Sequence, residues 1–479
     1  MIKNHKPILV FSLVYFITRL VNLTSLPVFC DEAIYVRWSQ LIKSVSSLFF
    51  VPLSDGKQPL FMWLVVPFFS VFKDPLFAGR FVSVLAGWGT LITIFFLAKL
   101  LFNSKTAIYA AVIYLFLPFS FFFDRLALAD NLLTFFGVLS LYLSLLLAQK
   151  PSLKNSLLLG IVLGLAWLTK SPAIYFIALS VFTFAVIRKT IFVIYPAISA
   201  FIAFVIFNIL RLDSQFHMIG RRNLDYVWPI GEVLKHPFDP LKPHLIDVFN
   251  ISVKLISWPL IIAVIVLFIF LIFTKKFVIY NLKFVILLSW CLLPLLASAA
   301  MAKAFTARYI LFTLPPLIII FAFFLKRLRH FFLLLLLIPN LIFIYQLSFN
   351  PFSVQLPPTE TGYLRDWTSG WGIQKAATYL RQRAKVVNVI VGTEGSFGTL
   401  PNGLQIYTEK VHQLTVIGTG LGYPKIPEQL INARNYGDEV FLLLNETRNQ
   451  LLSSEKDRLE LVKSYPKPGS DALVLYRLR

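Results

Sequence analysis

Long runs of apolar residues recur along the whole chain and restrict it to a membrane-spanning fold. A helix that crosses the hydrocarbon core of a bilayer needs about 20 predominantly apolar residues. Eleven runs near or somewhat below this length cover residues 7–26, 79–101, 106–123, 131–148, 156–169, 172–187, 190–209, 255–273, 281–300, 309–325 and 331–347. We therefore predict a polytopic α-helical membrane protein with about eleven spans.

The charge content agrees with a membrane protein. Only 14% of the residues are charged, whereas about 25% is usual in soluble domains. A net charge of +22 would point to nucleic acid in a soluble protein. Here the cations lie in short clusters between apolar runs, so we expect no nucleic-acid partner. Cys30 and Cys291 are too few for a disulfide framework or a cysteine zinc site.

The orientation follows from the cationic clusters, because Lys and Arg in short loops favour the cytoplasm. A cytoplasmic N-terminus places five clusters on that side: Lys99 with Lys105, Lys150 with Lys154, Arg188 with Lys189, Lys275 with Lys276, and Lys326 with Arg327 and Arg329. This alternation requires that residues 59–72 do not cross, and their 14 residues suit a helix in the outer interface. We expect a multi-pass protein of the plasma membrane.

The chain divides into two domains. Residues 1–347 form the predicted transmembrane domain, and residues 348–479 change to a pattern typical of a small α/β domain outside the membrane. Four strand-length runs, Val386–Val391, Leu414–Ile417, Val440–Leu444 and Ala472–Tyr476, follow a helical stretch at Ile373–Arg383.

The polar chemistry gathers in the predicted outer loops, since Arg19 is the only charged residue well within a run. These loops contain the carboxylates Asp31, Glu32 and Asp130 and the cationic or phenolic residues Lys57, Arg125, Lys170, Lys303, Arg308 and Tyr309. A carboxylate base beside several cations suits transfer from a phosphate-linked donor. The base accepts a proton from the acceptor hydroxyl, and the cations stabilise charge on the leaving phosphate.

Six ordered motifs make the resemblance to a known family specific. They are CDEAIYVRW, KQPLFMWL, GRFVSVLAG, DRLALADNLLTFF, LGLAWLTKSP and ARYILFTLPP. Over residues 1–325 the chain resembles the polytopic type C glycosyltransferases. It looks most like glycosyltransferase family 39, which includes the protein O-mannosyltransferases, and the related aminoarabinose transferases of lipid A.

The resemblance implies a reaction and assigns residues to it. Such enzymes move one sugar, with inversion, from a polyprenyl-phosphate or dolichyl-phosphate carrier to an acceptor at the outer face. Their proposed base falls on Asp31, with Glu32 beside it, and we expect Asp130 to join them as a catalytic carboxylate. We expect the donor phosphate to bind Lys57, Arg125, Lys170, Lys303, Arg308 and Tyr309. The chain departs from the family patterns at Gln58, which replaces a proline, and at Ser171, which replaces a glycine.

No cofactor and no metal ion are expected, because the cations can neutralise one phosphate. We expect the acceptor to be a glycan, a glycolipid or a protein. Trp367 and Trp371 favour the first two, because aromatic faces stack on sugars. Two other functions stay open: a transporter or flippase of lipid-linked sugars, and a non-catalytic binding module on a membrane anchor.

The residues also have simpler interpretations. Asp31 and Glu32 could cap a helix that starts at Ala33. Lys57 and Lys170 could extend to lipid headgroups, and Arg308 with Tyr309 could anchor a span at the interface.

Overall fold

The computed structural model describes residues 6–190, 193–274 and 281–479, and within them the chain is mostly helical. The helices of the membrane domain are α1 Lys6–Leu20, α2 Cys30–Ser44, α3 Leu60–Val65, α4 Pro75–Leu101, α5 Ser104–Phe116, α6 Pro118–Phe123, α7 Ala129–Gln149, α8 Leu153–Thr169, α9 Ala173–Arg188, α10 Ile194–Phe207, α11 Met218–Tyr226, α12 Ile230–Lys235, α13 Leu241–Ile251, α14 Trp258–Phe273, α15 Leu282–Met301, α16 Leu314–Leu325 and α17 His330–Phe349.

Each of the eleven apolar runs overlaps one of these helices, which confirms the predicted polytopic fold. Seven described helical segments are long and apolar enough to cross a membrane: Pro75–Leu101, Ala129–Gln149, Ile194–Leu212, Leu241–Phe273, Leu282–Met301, Ala307–Leu325 and His330–Phe349. The other predicted spans correspond to apolar helices of 10–17 residues. The number of crossings and the orientation of the chain stay predictions.

Local sequence explains where several helices begin and end. Asp74 caps α4 by accepting hydrogen bonds from the amides of Leu76 and Phe77 at 2.9 and 3.2 Å. The predicted run 106–123 divides into α5 and α6, because Leu117 is extended before Pro118. The expected interfacial segment 59–72 forms α3 and a 3₁₀ turn, Val66–Ser70, and is shorter than a span.

The predicted cytoplasmic clusters are partly brought together. Lys326 Nζ donates to Thr106 Oγ1 at 2.9 Å, beside Lys105, and Arg188 donates to the carbonyl of Gln149 at 3.1 Å. Lys275 and Lys276 lie outside the described residues. These contacts agree with loops that meet on one side of the membrane.

The C-terminal domain contains a five-stranded mixed sheet, as the predicted α/β class requires. Its strands are β1 Val389–Thr393, β2 Leu414–Gly418, β3 Glu439–Asn445, β4 Leu459–Pro466 and β5 Ala472–Leu478, in the order β2-β1-β3-β5-β4. Helix α18 Ile373–Arg383 precedes β1, and the helices α19 Asn402–Thr408, α20 Glu428–Asn435 and α21 Ser453–Lys456 lie between successive strands from β1 to β4. Strands β2, β1 and β3 are parallel, whereas β5 and β4 add antiparallel pairs.

This domain packs directly on α2, the helix of the first loop. The Cys30 amide donates to the carbonyl of Thr368 at 3.0 Å, and the Gly370 amide donates to the carbonyl of Val28 at 2.8 Å. Farther along α2, Gln40 Nε2 donates to the carbonyl of Ile406 at 2.9 Å. The last part of the chain therefore fixes the helix that carries Asp31.

Candidate active site

Asp31 lies in the first turn of α2 and forms an ion pair with Arg308 Nη1. Arg308 belongs to a 3₁₀ segment, Ala307–Thr313, that leads into α16. The side chains of Asp31 and Arg308 are 28% and 13% exposed, so the pair can be reached from outside the protein. The guanidinium carbon of Arg308 lies 5.7 Å from the ring centre of Phe29 and 5.4 Å from that of Tyr309.

Two lysines add positive charge around the Asp31 carboxylate. Burial alone would raise the pKa of Asp31, but Arg308, followed by Lys57 and Lys170, outweighs burial and holds the pKa below its ordinary value. The carboxylate is therefore ionised at neutral pH and available to accept a proton. Burial lowers the pKa of Lys57, against the opposing effect of Asp31 and Asp55.

Asp130 joins the cluster through Lys170. Lys170 Nζ donates to Asp130 Oδ1 at 2.6 Å and lies 5.1 Å from the ring centre of Tyr309. The Asp130 side chain is only 2% exposed, and its Oδ2 has no hydrogen-bond partner. Asp130 can thus hold Lys170 while one of its oxygens stays free to accept from a bound hydroxyl.

The two departures from the family patterns contact each other. Gln58 Nε2 donates to Ser171 Oγ at 2.7 Å, and Asn223 Nδ2 also reaches Ser171 Oγ at 3.3 Å. This contact joins the loop of Lys57 to the loop of Lys170. The two loops that carry Lys57 and Lys170 are therefore linked through the residues at which the chain departs from the family patterns.

Glu32 takes a different position from Asp31. Its carboxylate is completely buried and forms a bidentate pair with Arg80, with both N···O distances at 2.8 Å. The amides of Ala127 and Phe29 donate to the same carboxylate at 2.6 and 3.0 Å. Glu32 therefore holds the start of α2, which begins at Cys30 rather than at Ala33.

Arg80 was missed in the sequence analysis, which counted Arg19 as the only charge well within a run. Arg80 lies in the second turn of α4 and is fully buried. Besides Glu32, it donates to the carbonyls of Leu23, Leu26 and Pro27. The position of Arg80 near the start of the apolar run 79–101 was the sequence feature that could have indicated a buried ion pair.

Arg125 and Lys303 were expected to bind the donor phosphate, but their contacts lie elsewhere. Arg125 is fully buried and donates to the carbonyls of Thr18, Val21 and Asn22, at the C-terminal end of α1. This placement suits a cation that completes a helix end. Lys303 Nζ donates to the carbonyl of Leu224 at 2.5 Å and lies 4.7 Å from the ring centre of Trp228.

The C-terminal domain supplies two residues that the sequence analysis did not include. Glu360 Oε1 accepts from the amide of Ala307 at 2.7 Å, directly before Arg308. The ring of Tyr363 lies 4.1 Å from that of Phe29, and its hydroxyl is buried without a partner. Nothing in the tail sequence marks either residue, because their partners are far away along the chain.

Several buried polar atoms near the ion pair of Asp31 have no hydrogen-bond partner. Four such atoms among the described residues are Asp130 Oδ2, Arg308 Nε, Glu360 Oε2 and Tyr363 Oη. Buried polar groups normally have hydrogen-bond partners. Of these atoms, Arg308 Nε can therefore donate to a ligand oxygen, and Asp130 Oδ2 can accept from a ligand hydroxyl.

No group of three His, Cys, Asp or Glu side chains that could hold a metal ion occurs in the described part of the chain. The metal independence expected from the sequence stays a prediction. Activity that survives EDTA would support it, and activity restored by a divalent ion after EDTA would disprove it.

Comparison with solved structures identifies the fold. ArnT from Cupriavidus metallidurans, solved in the apo state and bound to undecaprenyl phosphate, matches with a TM-score of 0.59 and 13% identity, over 98% of this chain and 97% of that chain. AglB, an archaeal oligosaccharyltransferase from Archaeoglobus fulgidus solved with an inhibitory peptide and a dolichol-phosphate, matches with a TM-score of 0.55 and 10% identity, over 98% and 74%. The chain has the fold of the type C glycosyltransferases.

Sequence comparison adds a family match within this type C fold. Residues 56–210 match the family model described as dolichyl-phosphate-mannose-protein mannosyltransferase. The matched range contains Lys57, Asp130 and Lys170 of the candidate site. A comparison with curated protein sequences gives no match. The family match and the fold together indicate a membrane glycosyltransferase and confirm the resemblance predicted from the sequence.

Proposed function

We propose that this protein transfers a single sugar from a polyprenyl-phosphate donor to an extracytoplasmic acceptor, with inversion at the anomeric carbon. The observation that carries the proposal is the ion pair of Asp31 with Arg308, surrounded by Lys57 and by the pair of Lys170 with Asp130. The neighbours of known structure support the donor class, since ArnT was solved with undecaprenyl phosphate and AglB with a dolichol-phosphate.

In the proposed reaction, the oxygen of the acceptor hydroxyl forms a bond to the anomeric carbon. The bond between that carbon and the phosphate oxygen breaks, and its electron pair leaves with the polyprenyl phosphate. Asp31 accepts the hydroxyl proton as general base, while Arg308, Lys57 and Lys170 stabilise the charge on the leaving phosphate. Tyr309, between two of these cations, lines the same phosphate site.

In the proposed mechanism, Arg308 interacts with both Asp31 and the donor phosphate, so that donor binding makes Asp31 a stronger base. In the free enzyme, Arg308 pairs with Asp31 and lowers the pKa of its carboxyl. When a donor phosphate binds Arg308 and the two lysines, its negative charge offsets their positive charge. These cations then lower the pKa of Asp31 less than they do in the free enzyme. The proton affinity of Asp31 then rises when the substrate is in place.

We propose supporting roles for the other expected residues. Asp130 orients Lys170 and offers its free oxygen to a sugar hydroxyl, so it stays a candidate catalytic carboxylate. Glu32 positions α2 through Arg80 and has no exposed oxygen with which to act directly. Residues 1–347 would carry the reaction, and residues 348–479 would stand at the same outer face.

The test is a transfer assay with the purified full-length chain in lipid vesicles. Radiolabelled polyprenyl-phosphate hexoses and pentoses are supplied with a membrane extract as acceptor. Label that moves from lipid to the extract supports the enzyme. Label that stays on the lipid but crosses the vesicle membrane would instead show a transporter or flippase and would disprove the proposal.

A further inference from the structure

A short segment of the C-terminal domain reaches into the candidate site. The 3₁₀ turn Pro358–Tyr363 comes after the last membrane helix, and Glu360 in this turn is fully buried. Glu360 Oε1 accepts from the Ala307 amide at 2.7 Å and from Thr359 Oγ1 at 2.9 Å. Ala307 is the first residue of the 3₁₀ segment that carries Arg308.

A carboxylate at this point satisfies the first free amide of the segment and opposes the positive end of its backbone dipole. Glu360 therefore fixes the backbone from which the Arg308 side chain starts. Thr306 adds only a second, longer contact, because its Oγ1 accepts from the Arg308 amide at 3.3 Å.

The same turn also contacts the Arg308 side chain indirectly, through the ring of Phe29. The ring of Tyr363 packs against that of Phe29, with 4.1 Å between the ring centres and a tilt of 31° between the planes. The ring centre of Phe29 in turn lies 5.7 Å from the guanidinium carbon of Arg308. The turn thus determines both the backbone and the aromatic surface that set the direction of Arg308.

A buried carboxylate with one oxygen that lacks a partner destabilises the fold, because burial disfavours its charged form. Burial raises the pKa of Glu360, while Ala307, Thr359 and Arg308 oppose that effect. Of the two hydrogen bonds that Glu360 Oε1 accepts, the shorter one comes from the Ala307 amide and joins the turn to the segment that carries Arg308.

We propose that Glu360 is a positioning residue for Arg308, so that the C-terminal domain forms part of the site for the donor phosphate. This inference rests on the proposed function, since it assumes that Arg308 contacts the lipid-linked phosphate. Glu360 itself acts through the Ala307 amide and does not touch the substrate.

The test measures binding of undecaprenyl phosphate to the full-length protein in detergent and needs no sugar transfer. Glu360→Ala and Arg308→Lys should each weaken binding about tenfold, the size expected for one hydrogen bond to a charged group. The double variant should bind no more weakly than Arg308→Lys alone, because Glu360 acts through Arg308. Glu360→Gln keeps an accepting oxygen for Ala307 and should restore binding to nearly the wild-type value.

Two further variants serve as controls. Thr361→Ala removes a hydrogen bond to the carbonyl of Pro358 in the same turn and should leave binding unchanged. Glu360→Asp keeps the charge but shortens the side chain, so it should lose affinity even if Glu360→Ala does not fold.

Additive losses in the double variant would overturn the proposal, because they would show that Glu360 acts independently of Arg308. Full affinity in Glu360→Asp would also overturn it. Binding that follows the expected pattern without any sugar transfer by the wild type would reject the glycosyltransferase function but keep the positioning role. A wild type that does not bind undecaprenyl phosphate would reject both.

Discussion

On one side of the first turn of α2, Glu32 and Arg80 are completely enclosed, whereas on the other side Asp31 and Arg308 are partly exposed. We call these the inner pair and the outer pair. Both join a carboxylate of the CDEA motif to an arginine that is distant along the chain. They differ in how fully their hydrogen bonds are satisfied.

The inner pair has a partner for each of its groups. Arg80 donates to both carboxylate oxygens of Glu32 and to three backbone carbonyls. Two backbone amides also donate hydrogen bonds to the Glu32 carboxylate. In the outer pair, Arg308 Nε has no partner. A saturated pair stabilises structure, while an unsaturated and accessible pair has capacity left for a ligand.

The largest effect is expected from the outer pair. Asp31→Asn removes the proposed base and should lower turnover by about 10² to 10⁴, because this is the usual contribution of a positioned base. Steady-state transfer assays measure it, with thermal unfolding to confirm an intact fold. Turnover near the wild-type rate in folded protein would contradict the assignment.

Substitution in the inner pair should lower the stability of the fold rather than the rate of transfer. Glu32→Gln leaves Arg80 buried beside a neutral group and should reduce the free energy of unfolding by about 3 to 5 kcal/mol. Thermal unfolding in detergent checks this value against the wild type. Lost turnover with unchanged stability would show that Glu32 is catalytic after all, as the sequence analysis predicted.

The pH dependence of the transfer rate also tests whether the outer pair acts in catalysis. The lowered pKa of Asp31 should place the acid limb of kcat/KM below the ordinary value of about 3.9. Bound donor phosphate weakens the effect of the cations, so the acid limb of kcat should lie at higher pH. Arg308→Gln should move the acid limb of kcat/KM to higher pH, because it removes the cation that lowers the pKa of Asp31 most. Coincident limbs for kcat and kcat/KM would exclude activation by the donor.

The smallest effect concerns two loop lysines that lie over aromatic rings. Lys57 Nζ is 4.3 Å from the ring centre of Tyr226, and Lys303 Nζ is 4.7 Å from that of Trp228. Lys57→Gln should weaken binding of undecaprenyl phosphate about tenfold, whereas Lys303→Gln should change it by less than about twofold. An equal loss of affinity in the two variants would show that Lys303 also contacts the phosphate, as the sequence predicted.

Much of the fold could be predicted because apolar length is a strong local signal. The helix at Ile373–Arg383 agrees in both bounds, and each apolar run overlaps a helix in the described part of the chain. Strand β4 was missed because LELVKSYP places exposed polar residues along an edge of the sheet. Its strand character depends on pairing with β5, which no local pattern shows.

The sequence predicted which charged residues belong to the site, but not which of them form ion pairs with one another. The predicted topology placed Asp31, Lys57, Asp130 and Lys170 in the outer loops, and the structure brings these four together. The partners of Glu32 and Arg125 were not predictable, because an arginine that satisfies distant carbonyls has the same local sequence as one that binds phosphate. Folding alone decides which arginines stay accessible.

The contact between the C-terminal domain and α2 also has a consequence for biosynthesis. Phe29 and Ser369 form a β-bridge, and the Cys30 amide bonds to Thr368, so the start of the chain depends on residues that leave the ribosome after the last span. We therefore expect the Asp31 carboxylate to reach its final position only after the C-terminal domain has been synthesised and has packed on α2. A truncated chain that lacks this domain should insert its apolar helices without an assembled pair of Asp31 and Arg308.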